Sequence, residues 1–168
     1  MLIGGCTVHS STYNKVKEYV GVFLDATKTL NILDVGSCDI NGTYKPIFDN
    51  PNWVYKGIDI VEGKNVDQVV VPYAWDIEDE LYDVIVCGQC LEHDEMPWLT
   101  MLELARVCKR GGYVIIVVPW NFFIHRFPVD CWRILPDGMR VLIEKVGKLE
   151  CIAIDNNHEE TYGVGRKR

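Results

Sequence analysis

Apolar and polar positions along this chain follow two periods in turn, and each switch marks an element. Val16, Val20, Phe23, Leu24 and Thr27 recur at helical spacing, which predicts a helix capped by Ser10 or Ser11 and running to about Thr29. Asn31 to Val35 is then a short apolar run with an acid, Asp34, at its C-terminal end, and reads as a buried strand. A short helical piece is expected near Tyr44 to Phe48. Trp53 to Ile60 is rich in β-formers and carries Asp59 near its end, and Val66 to Val71 gives a third strand. Tyr82 to Cys87 is a continuous apolar strand introduced by Asp83. Trp98 to Lys109 reads as an amphipathic helix with Trp98, Met101, Leu102, Ala105 and Cys108 inward, stopped by Gly111 and Gly112. Tyr113 to Val118 is the most hydrophobic strand and suits the centre of a sheet covered on both faces. Pro136 opens a last helix with Met139, Leu142, Ile143 and Val146 inward and Gly147 closing it. Leu149 to Asp155 and Thr161 to Val164 are two further strands joined by a polar loop.

Strands alternating with helices imply an α/β sandwich around a mostly parallel sheet of seven strands. The last two strands have no helix between them, which predicts a closing hairpin with one antiparallel member. Residues 1–30 form an N-terminal arm (Met1 to Ser10) and helix, and residues 31–168 carry the ligand site. Together they make one compact domain.

The residues after the first strand carry the first chemical signal. Gly36, Ser37, Cys38 and Gly42 form a turn with little side-chain bulk, where an open parallel sheet binds ligands outside the carboxyl ends of its strands. A dinucleotide fold would need Gly-x-Gly-x-x-Gly opening a long helix. Here the glycines stand at 36 and 42, and Pro46 soon interrupts any helix. A dehydrogenase is therefore poorly supported. The other pattern is Asp-x-Gly-x-Gly, whose acid and glycines hold the amino acid part of S-adenosylmethionine. Asp34 and Gly36 match it, and Cys38 stands where the second glycine would be.

Composition narrows the partners. The 168 residues carry 24 acids against 17 bases, a formal charge of −7, and only Arg166, Lys167 and Arg168 form a basic cluster. No nucleic acid is expected as a partner. No stretch reaches the ~18 to 20 apolar residues of a membrane span, so no membrane is expected either. The first residues lack a charged region followed by an apolar core, which argues against a secretory signal. Seven cysteines, an odd number set mostly in apolar runs, suit buried thiols in a reducing compartment, and a cytoplasmic location is expected.

With the pieces in order, the chain resembles the class I S-adenosylmethionine-dependent methyltransferases, in particular the type 11-like group. The resemblance runs from about Ile32 to Lys167. I-L-D-V-G-S looks like the first motif of that family, and Y-K-G-I-D-I places Asp59 where the family's acid holds the ribose hydroxyls. Y-D-V-I-V-C-G-Q-C-L-E-H looks like the fourth strand and its active-site turn. K-R-G-G-Y-V-I-I-V-V-P is typical of the fifth strand, and H-R-F-P-V-D-C-W-R-I-L-P-D-G-M-R is similar to a segment of some bacterial members. The resemblance implies a Rossmann-like methyltransferase sandwich that uses S-adenosyl-L-methionine and releases S-adenosyl-L-homocysteine. It implies a cofactor site at Asp34, Val35, Gly36, Ser37, Cys38, Asp59, Ile60, Pro72, Tyr73, Gly88 and Gln89. Val71 stands near the place where many members carry an acid for the adenine amine, with Tyr73 and Trp75 as aromatic substitutes.

Methyl transfer from a sulfonium asks the protein mainly for orientation and exclusion of water. A base is needed only where the acceptor must lose a proton. His93, His125 and Asp130 are the catalytic candidates. For His93 a substrate-facing role and a packing or capping role stay equally open. Arg126, Trp132 and Arg133 are the acceptor-binding candidates, arginines suiting an anionic group, against the reading of a loop stitched by internal ion pairs. Cys87, Cys90 and His93 suggest a metal or redox site, but zinc wants four ligands and no second pair of cysteines follows, so no metal is expected. The expected function is methyl transfer to an unidentified acceptor, a small molecule, sugar or protein. The alternative is a non-catalytic cofactor-binding or subunit protein that kept the fold, motivated by Cys38, Val71 and the lack of room for a substrate domain. Pairing of two copies into a homodimer stays open.

Overall fold

A computed structural model describes residues 10–40 and 42–168. The expected arm and the capping roles of Ser10 and Ser11 lie outside the described residues and side chains. Seven strands form one sheet: β1 (Leu30–Val35), β2 (Trp53–Asp59), β3 (Gln68–Val69), β4 (Tyr82–Gly88), β5 (Cys108–Pro119), β6 (Glu150–Asn156) and β7 (Glu160–Arg166). Their order is β3-β2-β1-β4-β5-β7-β6. β1 pairs in parallel with β2 and β4, β4 with β5, and β2 with β3, whereas β7 runs antiparallel to both β5 and β6. This is the Rossmann-like sandwich with its antiparallel hairpin. Among the described residues, no helix is long and apolar enough to cross a membrane.

The period of two decides which core each strand residue joins. Leu33, Val35, Ile85, Cys87, Val114 and Ile116 point to one face, where helix α2 (Pro97–Val107) supplies Met101, Leu104 and Val107 and helix α3 (Pro136–Val141) supplies Met139. Ile32, Val84, Val86, Ile115 and Val117 point to the other, against Val16, Tyr19 and Val20 of helix α1 (Ser10–Phe23), Phe48 of the 3-10 turn Lys45–Phe48 and Tyr44 just before it. β1, β4 and β5 are covered on both sides, which is why they read as near-continuous apolar runs.

Four local expectations are corrected. α1 ends at Phe23 rather than Thr29, because the Asp25 carboxylate takes the Thr27 N–H (3.0 Å) and hydroxyl (2.7 Å) and turns the chain. β3 spans only Gln68–Val69 instead of Val66 to Val71. α2 buries Thr100, Met101, Leu104, Ala105 and Val107 and leaves Trp98 and Leu102 exposed, so its inward stripe is rotated from the expected one. Gly111 and Gly112 do not stop that helix, which ends at Val107. They lie in a bulge of β5: Tyr82 faces Cys108, but Val84 already faces Tyr113. Gly111 holds φ +82, and a Cβ on Gly112 would stand 2.7 Å from the Asp83 carbonyl. α3 continues through a π-helical turn (Leu142–Val146) that buries Ile143.

Candidate functional site

A cavity of about 500 Å³ opens at the carboxyl ends of β1, β2 and β4. Its walls come from Asp34–Cys38 after β1, Asp59–Val61 after β2, Pro72, Tyr73 and Trp75, the turn Gly88–Cys90, and His93–Glu95 with Phe127–Val129. All eleven residues expected at the cofactor site line it, and so does His93. His125, Asp130, Arg126, Trp132 and Arg133 do not.

The turn after β1 is held from below. The N–H groups of Gly36 and Ser37 both donate to the Ile58 carbonyl, at 3.0 and 3.1 Å, which draws the turn against β2. Gly36 has φ +75, and a Cβ there would come 2.9 Å from both Cβ and Sγ of Cys90. Only glycine fits. Asp59 ties the two strand ends together: Oδ2 accepts the Cys38 N–H (3.1 Å) and Oδ1 accepts the Ile60 N–H (2.7 Å). The Cys38 thiol packs on Gly63, where an added Cβ would lie 2.4 Å from Sγ. Burial and then Asp59 push this thiol's pKa up.

Asp34 is buried and accepts the Tyr55 hydroxyl at 2.5 Å. Asn65 donates to the same Tyr55 oxygen (2.8 Å) and to the Ser37 carbonyl (3.1 Å). Burial raises the Asp34 pKa to about 7, against the lowering effect of the Tyr55 bond and with a further push from Asp59. Gln89, at φ +56 beyond β4, donates to Glu160 at 2.7 Å. Glu160 is buried and also accepts the hydroxyls of Thr12 and Tyr162. Tyr73 donates to Asp94 at 2.6 Å, and Asp94 also accepts the Thr100 hydroxyl at 2.5 Å. Val71 is exposed and lies outside the cavity wall, whereas the buried Trp75 is part of it.

Glu92 and His93 sit on a 3-10 turn (Leu91–His93) after β4. The segment after β5 folds over this turn, because the N–H groups of Cys131 (2.7 Å) and Trp132 (3.2 Å) donate to the Glu92 carbonyl. Arg133 grips Asp130 with two parallel hydrogen bonds of 2.6 and 2.7 Å. That pairing holds the Asp130 pKa down to about 2. Asp130 in turn accepts the His125 N–H at 2.7 Å. The rings of His93 and His125 meet edge to face, 4.9 Å between centroids. His93 Nδ1 donates to the Val129 carbonyl at 2.7 Å, and burial lowers its pKa. Glu92 is fully buried, and burial raises its pKa to about 8. Trp132 donates to the Asp94 carbonyl (2.8 Å) and packs edge-on against Trp98. Arg126 is exposed.

The expected site residues thus fall into two groups, a cavity wall and a knot behind it made by His125, Asp130, Arg133 and Trp132, with Arg126 in neither. Sequence reasoning missed Tyr44, Tyr55, Asn65, Asp94, Glu160 and the wall Phe127–Val129. Tyr55 and Asn65 carry no local pattern, since their roles come from strand pairing and loop return. Glu160 shows one weak signal, an acid opening a strand whose middle, residues 162–165, carries no charge.

A family model described as a methyltransferase domain matches residues 33–116, half of the chain. Among curated proteins none matches the sequence. The fold is similar to the YcgJ protein of Bacillus subtilis, at 15% identity and TM-score 0.74, over 95% of this chain and 99% of that one. It is similar to a SAM-dependent methyltransferase from Aquifex aeolicus, at 16% identity and TM-score 0.63, over 92% of this chain and 96% of that one. It is also similar to 1,6-didemethyltoxoflavin-N1-methyltransferase of Burkholderia thailandensis, solved with 1,6-didemethyltoxoflavin and S-adenosylhomocysteine, at 12% identity and TM-score 0.73, over 92% and 77% of the two chains. The family match runs from within β1 through its turn and on into β5, the part of the sheet whose strand ends form the cavity. The chain belongs to the class I S-adenosylmethionine-dependent methyltransferases.

Proposed function

We propose that this chain transfers a methyl group from S-adenosylmethionine to a small molecule, sugar or protein acceptor inside the cavity at the carboxyl ends of β1, β2 and β4. The observation that carries the proposal is the pair of acids in that cavity's wall, Asp34 and Asp59, flanking a turn of small residues. Oδ2 of Asp59 accepts the Cys38 N–H and keeps a lone pair for a ribose hydroxyl, while Oδ1 accepts the Ile60 N–H and, at 3.3 Å, that of Val61. Asp34, whose carboxyl is kept partly neutral by burial, is complemented by an ammonium. Tyr73 and Trp75 offer ring faces to an adenine. The cofactor, when bound, supplies the methyl group on a sulfonium together with its own leaving group.

His93 is the catalytic candidate that reaches the cavity, and we assign it to the acceptor side. His125 and Asp130 act through it as positioning residues. The acid excess makes nucleic acid a poor acceptor, and a homodimer would show as a doubled mass in sedimentation. A binding protein without transfer is the second reading. It is favoured by Arg133, expected to hold an acceptor but engaged by Asp130.

A thermal melt with S-adenosylhomocysteine tests the cofactor site. At 100 times its dissociation constant the ligand adds ~2.7 kcal/mol, roughly 5 to 11 °C for a domain this size. We expect that shift in the wild type and its loss in Asp59→Ala and Asp59→Asn. No shift at millimolar ligand would sink the enzyme reading. A shift without label transfer from methyl-labelled cofactor to any acceptor pool would favour the second.

A further inference from the structure

We propose that Glu92, His93 and His125 bind one divalent d-block cation of the zinc class, in the wall behind the cavity. One donor atom from each residue lies within 4.8 Å of the other two. The trio is assembled from two chain segments, the turn after β4 and the stretch after β5, laced together through the Glu92 carbonyl. Neither carboxylate oxygen of the fully buried Glu92 has a hydrogen-bond partner among the described residues, and the same holds for Nε2 of His125. His93 Nε2 stands 3.7 Å from Glu92 Oε1, outside hydrogen-bond reach. Unpartnered polar atoms of Glu92 and His125, with His93 Nε2 beside them, are costly to bury. A cation satisfies all three at once.

The outer contacts are those of ligating histidines. His93 directs Nδ1 at the Val129 carbonyl (2.7 Å), which fixes the proton there and leaves the Nε2 lone pair on the side of Glu92. His125 Nδ1 lies 3.2 Å from the Phe123 carbonyl and 3.4 Å from Asp130, whose carboxylate Arg133 holds in place. Two imidazoles and a carboxylate, with no sulfur, suit zinc with an open fourth position better than an oxygen-seeking cation such as calcium. Ligand atoms around zinc stand ~3.3 Å apart at ordinary bond lengths, so small rotations of the two rings close the set. The cysteines of the neighbouring turn play no part in it: Cys90 packs on Gly36 instead. The site is independent of the methyl-transfer reading, although His93 also lines the cavity and would bring the ion within one side chain of an acceptor.

The test reads metal, not turnover. Full-length protein stripped with a chelator is titrated with Co²⁺ and then Zn²⁺. We expect one equivalent of Co²⁺ per chain with tetrahedral d–d bands, displaced by Zn²⁺, and a higher melting temperature with Zn²⁺. Glu92→Gln and His125→Gln, each shown to be folded by circular dichroism, lose at least tenfold in affinity. Failure of the folded wild type to bind either ion at millimolar concentration overturns the proposal. So does a thiolate charge-transfer band, which places the ion on cysteines, or affinity unchanged in whichever of the two variants folds, which places it away from this trio.

Discussion

Asp34 shows how one buried acid ties stability to pH. Its folded pKa of about 7 lies above the ordinary 3.8, so between those values the folded chain holds a proton that the unfolded chain has lost. Stability from this group is complete at low pH and declines as pH rises toward 7, by up to about 1.4 kcal/mol per pH unit. Asp34→Asn should flatten the profile of unfolding free energy over that window, as read by urea titrations at several pH values. An ammonium group placed beside Asp34 favours the ionised carboxyl, so S-adenosylhomocysteine, which carries one on its amino acid part, should bind the wild type more tightly at pH 7.5 than at pH 5.5, a trend that calorimetry would find weakened in Asp34→Asn. Gly36 carries a different constraint. Gly36→Ala meets both a positive φ and the Cys90 side chain, and should cost about 1–3 kcal/mol in chemical denaturation. Gly36 was legible in the sequence because its place in the turn is local. The raised pKa of Asp34 was not, because it comes from the depth of the carboxyl under the folded sheet, which the Tyr55 bond from the neighbouring strand only partly offsets.

Among the elements, the strands were read most securely, since those buried on both faces announce themselves by composition. The helices were found, but α1 was mis-ended at the local Asp25–Thr27 turn and α2 was misphased. Trp98 lies on the outer side of α2, where Trp132, from a segment without regular structure, meets it edge-on. That segment is the part of the site least legible in sequence. Its charges looked equally suited to an anionic acceptor or to internal pairing, and Asp130, only 1% exposed at its side chain, makes Arg133 a structural partner. Arg133→Ala therefore strands a buried carboxylate, and we expect a loss of about 3–5 kcal/mol in stability. Hydrogen exchange should speed up first at the Cys131 and Trp132 amides, which bond the Glu92 carbonyl. A change confined to the Michaelis constant would return Arg133 to the acceptor site.

For the whole molecule, the decisive fact is that β7 lies inside the sheet, between β5 and β6. It closes both: its residues pair with Tyr113–Pro119 on one side and with Glu150–Asn156 on the other. Removing residues 157–168 should abolish cooperative unfolding and near-ultraviolet dichroism, whereas a strand lost from an edge would be tolerated better. The Gln89–Glu160 bond makes the same strand part of the cavity's support, so fold and site fail together. This arrangement also bears on how the protein is made. On the ribosome, β5 emerges well before the strand that covers its far edge, and at ~5–20 residues per second the interval from Pro119 to Arg166 lasts roughly 2 to 9 seconds. Throughout it the most apolar strand in the chain presents an open row of amides and carbonyls to its surroundings. Nascent chains of this protein are thus natural clients for chaperones that wait at the tunnel exit, and crowded polysomes are where they are most exposed to pairing with one another.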